Sequence, residues 1–298
     1  MLTVSICVCA YNEADNIEHA VRSVYRQTAD GFKIEEVIVI SSGSTDNTDG
    51  IVERLTEEFD TLTLVRQGTR FGKNSAINEF LERKRGDVSV LLNADNILRD
   101  DLSLHHLITP FGDEKVGMVG GHPVPTNDPK DMIGFTSHMI WTMHHHVSRR
   151  EPKIGELIAF RDIGTRLPTD TQSDEDMIKM ELEKNGFVSV YAPNAIVLNR
   201  GPGTREDFFA QRVRVNIGEE YMKRTRGYFV STHKKGILFF ALFGSMRDLG
   251  FHPIKMMYAV ILEAKARQMA KAYVNANKDD INIWSRVNST KDVRKDRK

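Results

Sequence analysis

Cysteine is nearly absent: Cys7 and Cys9 are the only two in 298 residues. Two apart on one expected strand, their side chains share a face. That spacing suits neither a disulfide nor a metal pair, so they read as small core residues of a protein kept in a reducing compartment. Net charge is missing as well, because 41 Lys and Arg balance 41 Asp and Glu; nothing here signals nucleic acid. No apolar run reaches the ~20 residues that a spanning helix requires. The first residues carry neither a basic region nor a cleavage site, and LTVSICV reads as an opening strand rather than a leader. These absences together lead us to expect a cytoplasmic protein. The chain also lacks internal repeats and low-complexity linkers. It does have apolar residues in quantity, 40% of the total, enough to bury a full α/β core.

Short apolar runs at 4–9, 36–40, 61–65 and 88–92 alternate with amphipathic stretches at 14–27, 46–58 and 73–85. Such alternation predicts parallel strands joined by crossover helices. Three of the four strands run directly into polar clusters: AYNE after the first, SSGSTDNT after the second, NADN after the fourth. Right-handed crossovers bring those clusters to one edge of the sheet, where open α/β folds bind ligands. The fourth is the most pointed. In VLLNADN (90–96) a buried strand end presents Asn93 and Asp95 on the same side of Ala94. Asn and Asp end strands simply because they turn the backbone, and they also suit a metal or phosphate site.

Beyond residue 116 the pattern changes. A glycine- and proline-punctuated strand, VGMVGGHPVP, precedes a helix over 129–149, a strand at 155–161, a helix over 173–186, a strand at 188–193, a loop at 199–204 and a further helical stretch. His144, His145 and His146 are adjacent in that first helix. Neighbouring helical side chains point about 100° apart and cannot share one ion, so they are expected on a surface face, and His122 is the better candidate for touching a substrate. Near the C-terminus, 236–246 and 253–273 are apolar helices too short to span a bilayer, preceded by the basic stretch KRTRGYFVSTHKK; the chain then ends on the charged KDVRKDRK. Apolar helices beside Lys and Arg either lie in a membrane interface or pack on the rest of the protein or a partner.

In order along the chain, AYNE (10–13), GSTDNT (43–48), Gly72-Lys73 with Asn78, NAD (93–95), Asp174-Glu175 and QRVR (211–214) resemble the family 2 inverting glycosyltransferases of GT-A fold. The resemblance covers roughly residues 3–220. It implies an α/β fold with a Rossmann-like, mostly parallel nucleotide-binding sheet. We place that domain at 1–225 and a C-terminal amphipathic helical region at 226–298.

The same resemblance implies roles. The donor, a nucleoside-diphosphate sugar, would meet Ala10, Tyr11, Asn12, Glu13, Ser41, Lys73, Asn93, Ala94, Asp95, Gln211, Arg212 and Arg214. Tyr11 would stack on the base and Glu13 face ribose hydroxyls; Arg212 and Arg214 would clamp the diphosphate. Ser41 and Ser42 stand where the family usually carries two aspartates, which leaves the nucleobase open; Asp46 is expected to cap a helix. NAD occupies the place of the family's Asp-x-Asp, with Asn93 replacing the first acid. Asp95 is then the one strong ligand for a divalent Mg²⁺ or Mn²⁺, which would stabilise the charge on the departing diphosphate. Glu175, with Asp174 before it, falls at the general-base position; an acidic helix start also complements the helix dipole. Val215 replaces the tryptophan of processive members, which points to transfer of a single sugar. The expected acceptor is a glycan or a polyprenyl-type lipid, with peripheral membrane contact. Two other readings stay open: a catalytically decayed nucleotide-binding scaffold, since three expected acids are missing, and a sugar nucleotidyltransferase, although AYNEADN lacks the glycine-rich loop of that class.

Overall fold

The computed structural model describes residues 1–164, 166–169, 173–229 and 235–276. Two compact units emerge. The first comprises Met1–Pro123, Ile154–Thr169 and Asp174–Leu198; the second takes Val124–Lys153, Ser173 and the described residues from Asn199 onward. The tail KDVRKDRK and residues 230–234 of the basic stretch lie outside the described residues.

The first unit is built on an eight-stranded sheet in the order β3-β2-β1-β4-β7-β6-β8-β5. Strand β1 (Leu2–Ala10) is flanked by β2 (Phe32–Ser42) and β4 (Val88–Asn93), and β3 (Leu62–Gln67) pairs outside β2; all of these run parallel. A parallel strand with neighbours on both sides and helices on both faces is apolar along its length, and Val4, Ile6, Cys7 and Val8 are wholly buried. The crossovers are α1 (Ile17–Tyr25), α2 (Thr48–Thr56) and α3 (Lys73–Arg83). α1 buries Ile17, Ala20, Val21 and Val24 at helical spacing.

Beyond β4 the sheet turns antiparallel. The two-residue β5 (Ile97–Leu98) and α4 (Ser103–Ile108) precede β6 (Val116–Pro125), α5 (Met132–Ser148), β7 (Leu157–Arg161), α6 (Asp174–Lys184) and β8 (Val188–Asn199). β7 pairs with β4 with Leu92 opposite Leu157, and with β6 on its other side. The reversal has a local consequence. β7 starts beside the carboxyl end of β4, so the residue preceding it, Glu156, arrives next to Asn93.

The second unit is helical: α5 with α7 (Arg205–Arg226), α8 (Lys235–Leu249) and α9 (Pro253–Ala276). Side chains on one face of α9, Met256, Ala259, Leu262, Ala266, Ala270 and Val274, are buried, against Phe135 and Met139 of α5 and Ile217 of α7. The histidine triplet departs from expectation. His144 is buried with its ring against Trp141, and His146 Nε2 lies 2.8 Å from Asp248 Oδ2. Helix α8 covers that side of α5, so only part of the triplet is a surface face.

Candidate active site

The parallel register sets Cys9 beside Asn93 and Ala10 beside Ser41. The three strand-end loops therefore start level with one another. Asn12 ties the first to the second: it takes a left-handed φ of 53°, and its Oδ1 accepts from the Thr45 backbone N–H at 2.7 Å. The Glu13 N–H donates to Thr48 Oγ1 at 2.8 Å. Asp46 accepts from the backbone N–H groups of Thr48 and Ala14, so it braces the approach to α2, whose cap position is Asn47 and not Asp46 as expected. Gly43 has φ 68°, and a Cβ there would come within 2.8 Å of the Thr69 carbonyl carbon. Only glycine lets the third loop approach so closely. That approach brings Arg70 over the ring of Tyr11, 4.2 Å from its centroid. Glu13 and Ser41 are buried; the first accepts from Asn16 Nδ2 and the second donates to Ser44 Oγ.

Lys73 opens α3, after Gly72 at φ 90°. Its ammonium lies 2.7 Å from Asp174 Oδ2 and 3.3 Å from Glu175 Oε1. Asparagines set this meeting of two helix starts. Asn78 donates to the Leu167 carbonyl at 2.8 Å and accepts from the Leu167 N–H at 2.7 Å, and Asn74 donates to the Pro168 carbonyl. α3 thus grips the segment leading to α6. The two carboxyls then divide one proton and one charge. Burial and the charge of Glu175 push Asp174 up to about 7, against the pull of Lys73. Burial also opposes ionisation of Glu175, but Lys73 and local hydrogen bonds outweigh it and hold that carboxyl below its ordinary value. Lys73 likewise stays charged, because both acids overcome its desolvation. Side-chain exposure separates the pair: 3% for Asp174, 23% for Glu175. The ionised member is the accessible one.

At the end of β4, Asn93 Nδ2 and Asn96 Nδ2 each donate to Glu156 Oε2 at 2.9 Å. Burial, then the charge of Asp95, raises the Glu156 carboxyl, while the Asn96 hydrogen bond and Lys73 pull the other way and Glu175 adds to the rise. Asp95, Lys73 and Glu175 thus all lie near enough to act on the Glu156 carboxyl. Among the described residues no three His, Cys, Asp or Glu converge on one point. The Asp95 carboxylate beside the Asn93 amide is nonetheless a set of hard oxygen donors, which fits Mg²⁺ or Mn²⁺ whose remaining positions are filled by phosphate and water.

Comparison with known proteins gives the family and the fold. The model of the family described as glycosyl transferase family 2 matches residues 5–172, more than half of the chain. The chain belongs to glycosyl transferase family 2. Among curated members, the poly-β-1,6-N-acetyl-D-glucosamine synthase of Staphylococcus aureus (strain MSSA476) is 25% identical over 243 residues, 78% of this chain and 57% of that protein. The chain thus spans little more than half the length of the curated relatives it matches. A solved mannosyltransferase of Pyrobaculum calidifontis, in complex with GDP-Man and Mn²⁺, superposes with a TM-score of 0.62 at 24% identity, covering 92% of this chain and 85% of that one. Glucosyl-3-phosphoglycerate synthase of Mycobacterium tuberculosis, solved with Mn²⁺, UDP and glucosyl-3-phosphoglycerate, gives 0.51 at 16% identity over 75% and 80%. The shared fold is GT-A.

For a family 2 glycosyltransferase, the motif residues are placed unevenly. Ala10, Tyr11, Asn12, Glu13, Ser41, Lys73, Asn93, Ala94, Asp95, Asp174 and Glu175 all lie in the sheet-bearing unit. Gln211, Arg212 and Arg214 lie on α7 in the helical unit, where Glu263 holds Arg212 through two hydrogen bonds of 2.8 Å. Clamping a diphosphate would require Arg212 to leave that pair, whereas Arg214 has no ionic partner among the described residues. His122 Nδ1 is 3.1 Å from the Pro193 carbonyl of β8. Sequence reasoning missed Arg70 and Glu156. For Glu156 no local signal existed, since its place depends on the antiparallel pairing of β7. For Arg70 a cation two residues before the Gly72-Lys73 motif was a usable hint.

Proposed function

We propose that the protein is an inverting glycosyltransferase that moves one sugar from a nucleoside-diphosphate donor to an acceptor hydroxyl or phosphate. The reading is supported by two observations: Asp95 and Glu175 both act electrostatically on the Glu156 carboxyl, and Lys73 lies 3.3 Å from Glu175. For a hydroxyl acceptor, Glu175 takes the proton as the acceptor oxygen bonds to the anomeric carbon, and the bond from that carbon to the diphosphate breaks on the opposite face; an ionised phosphate attacks without that proton transfer. Asp174, whose carboxyl is pushed up to about 7, is the poorer acceptor of the two, and Glu175, held below its ordinary value, serves as the base. Asn93 and Asp95 would hold the divalent ion, which supplies stabilisation of negative charge on the leaving diphosphate. Tyr11 and Arg70 would frame the nucleobase. Val215 in place of tryptophan supports single transfer over polymerisation.

The acceptor is a lipid-borne glycan or a polyprenyl-type phosphate. Its support lies in α8 and α9. Each packs one face on α5 or α7 and leaves Phe239, Phe240, Phe243, Ile254, Met257 and Ile261 at least half exposed. Lys255 and Lys265 stand on the same helices, and Arg150 stacks on Phe240 at 4.1 Å. Bulky apolar residues rimmed by cations suit the interface of an anionic membrane. No described helix is long and apolar enough to cross one.

Sugar release from a panel of UDP-, GDP-, dTDP- and CDP-sugars, with and without Mn²⁺, tests the reading in the wild type, Asp95→Ala and Glu175→Gln. The expected result is metal-dependent turnover that both substitutions lower by about a hundredfold or more. Equal rates in all three proteins would refute the mechanism and favour a nucleotide-binding scaffold.

A further inference from the structure

Among the described residues, Asn12 and Glu156 are the two non-glycine residues with a left-handed backbone, and both belong to the candidate site. Glu156 has φ 64°, where an L side chain is disfavoured, and such strain persists where the surroundings over-determine it. What holds Glu156 is visible. Leu157 is fixed in the ladder opposite Leu92, and the Glu156 carboxylate collects the amides of Asn93 and Asn96 on one oxygen at 2.9 Å each. Oε2, the oxygen that both amides reach, is the acceptor in each contact. The Asn93 NH₂ is therefore committed to Glu156, and its Oδ1 must face the other way. That Oδ1 accepts no hydrogen bond from the described residues and is not sealed from solvent.

We propose that Glu156 is a positioning residue that locks the Asn93 amide with its oxygen, rather than its NH₂, presented beside Asp95. An unrestrained asparagine offers either end, and its NH₂ would attract a phosphate oxygen. The locked one offers only an electron-pair donor. It takes a divalent cation or a hydroxyl of the donor nucleotide and rejects an anion. The acid absent from residue 93 is thereby replaced by two residues: Asn93 supplies the ligating oxygen and Glu156 fixes its orientation. This inference rests on the proposed donor site.

The test measures two affinities in each protein: that for Mn²⁺ alone, from the free-ion EPR signal, and that for UDP and GDP without metal, by calorimetry. The variants are Glu156→Gly, Glu156→Gln and the double variant Glu156→Gly with Asn93→Asp. Glycine suits the φ of 64°, and the thermal transition of each variant verifies folding. Glu156→Gly is expected to weaken Mn²⁺ or nucleotide binding by about tenfold or more, the usual effect of losing a residue that orients a ligand. The arm that moves identifies the group Asn93 holds. Glu156→Gln, whose carbonyl still accepts both amides, should stay within about threefold of wild type, while the double variant, with its own carboxylate at 93, should recover. Unchanged affinities in Glu156→Gly would overturn the inference, as would a Glu156→Gln loss equal to that of Glu156→Gly, because charge rather than amide orientation would then matter. A wild type that binds neither probe would instead defeat the donor-site reading beneath it.

Discussion

Asp174 and Glu175 are neighbours in sequence with opposite fates, and Lys73 decides which is which. The ammonium touches both, but Asp174 is buried at the start of α6 and Glu175 is partly open. The consequence for pH can be worked out. Asp174 is raised from 3.8 to about 7 on folding, so its protonated form favours the native state, fully so below the unfolded value, and that contribution is lost as pH rises through about 7. Glu175 is lowered, so its contribution holds above its ordinary value and is lost in acid. Asp174→Asn should therefore flatten the melting temperature against pH between about pH 4 and 7, where the Asp174 contribution makes wild type decline. Parallel curves for the two proteins would contradict the assignment. Glu175→Gln keeps the shape and removes the proposed base, and a drop of roughly 10²- to 10⁴-fold in kcat with little change in donor affinity is expected.

Among the elements, α3 does two tasks that its motif residues divide. Lys73 reaches into the cleft, while Asn78, also part of the motif, turns inward and closes two hydrogen bonds with Leu167. Asn78→Ala should cost about 1–3 kcal/mol in denaturant unfolding, because the buried Leu167 N–H and C=O would lose their partner. It should lower activity as well by loosening the approach to α6. α8 and α9 carry the opposite kind of information, apolar side chains facing outward. Replacing Phe239, Phe240 and Phe243 with serine should abolish co-sedimentation with anionic liposomes at low salt while leaving the thermal transition within a few degrees of wild type, since all three are more than half exposed. If wild type itself ignored the liposomes, the membrane-borne acceptor would have to be abandoned.

For the whole molecule, the donor must bind the folded chain and not the unfolded one. A matching nucleoside diphosphate with Mn²⁺ should raise the melting temperature by mass action, roughly 2.7 kcal/mol at a hundredfold excess over Kd. Asp95→Ala should lose the part of this shift that depends on metal. A panel in which no nucleotide shifts the transition would leave the sugar-transfer function without support. The helical unit matters at this scale too: α9 packs along α7 through Ile217, Ala270 and Val274, so α7, which carries Gln211, Arg212 and Arg214, shares its core with the C-terminal helices.

The alternation of apolar runs, and the polar clusters that follow three of them, determined by themselves that a parallel sheet would gather Tyr11, Ser41 and Asp95 at one edge. That much is legible because crossover connections have one hand and side chains on a strand alternate. The acidic start of α6 was legible as a helix start, and its ordered resemblance to the family marked it as a base. Only the tertiary structure decided which of the two acids keeps its charge, because desolvation depends on what packs over each carboxyl and no spacing encodes that. It alone set Glu156 beside Asn93, since the direction of β7 is a property of its partners and not of GELIAFR. It also bound Arg212 to Glu263, 51 residues away, a pairing made by helices folding back on one another, which periodicity within either helix does not specify.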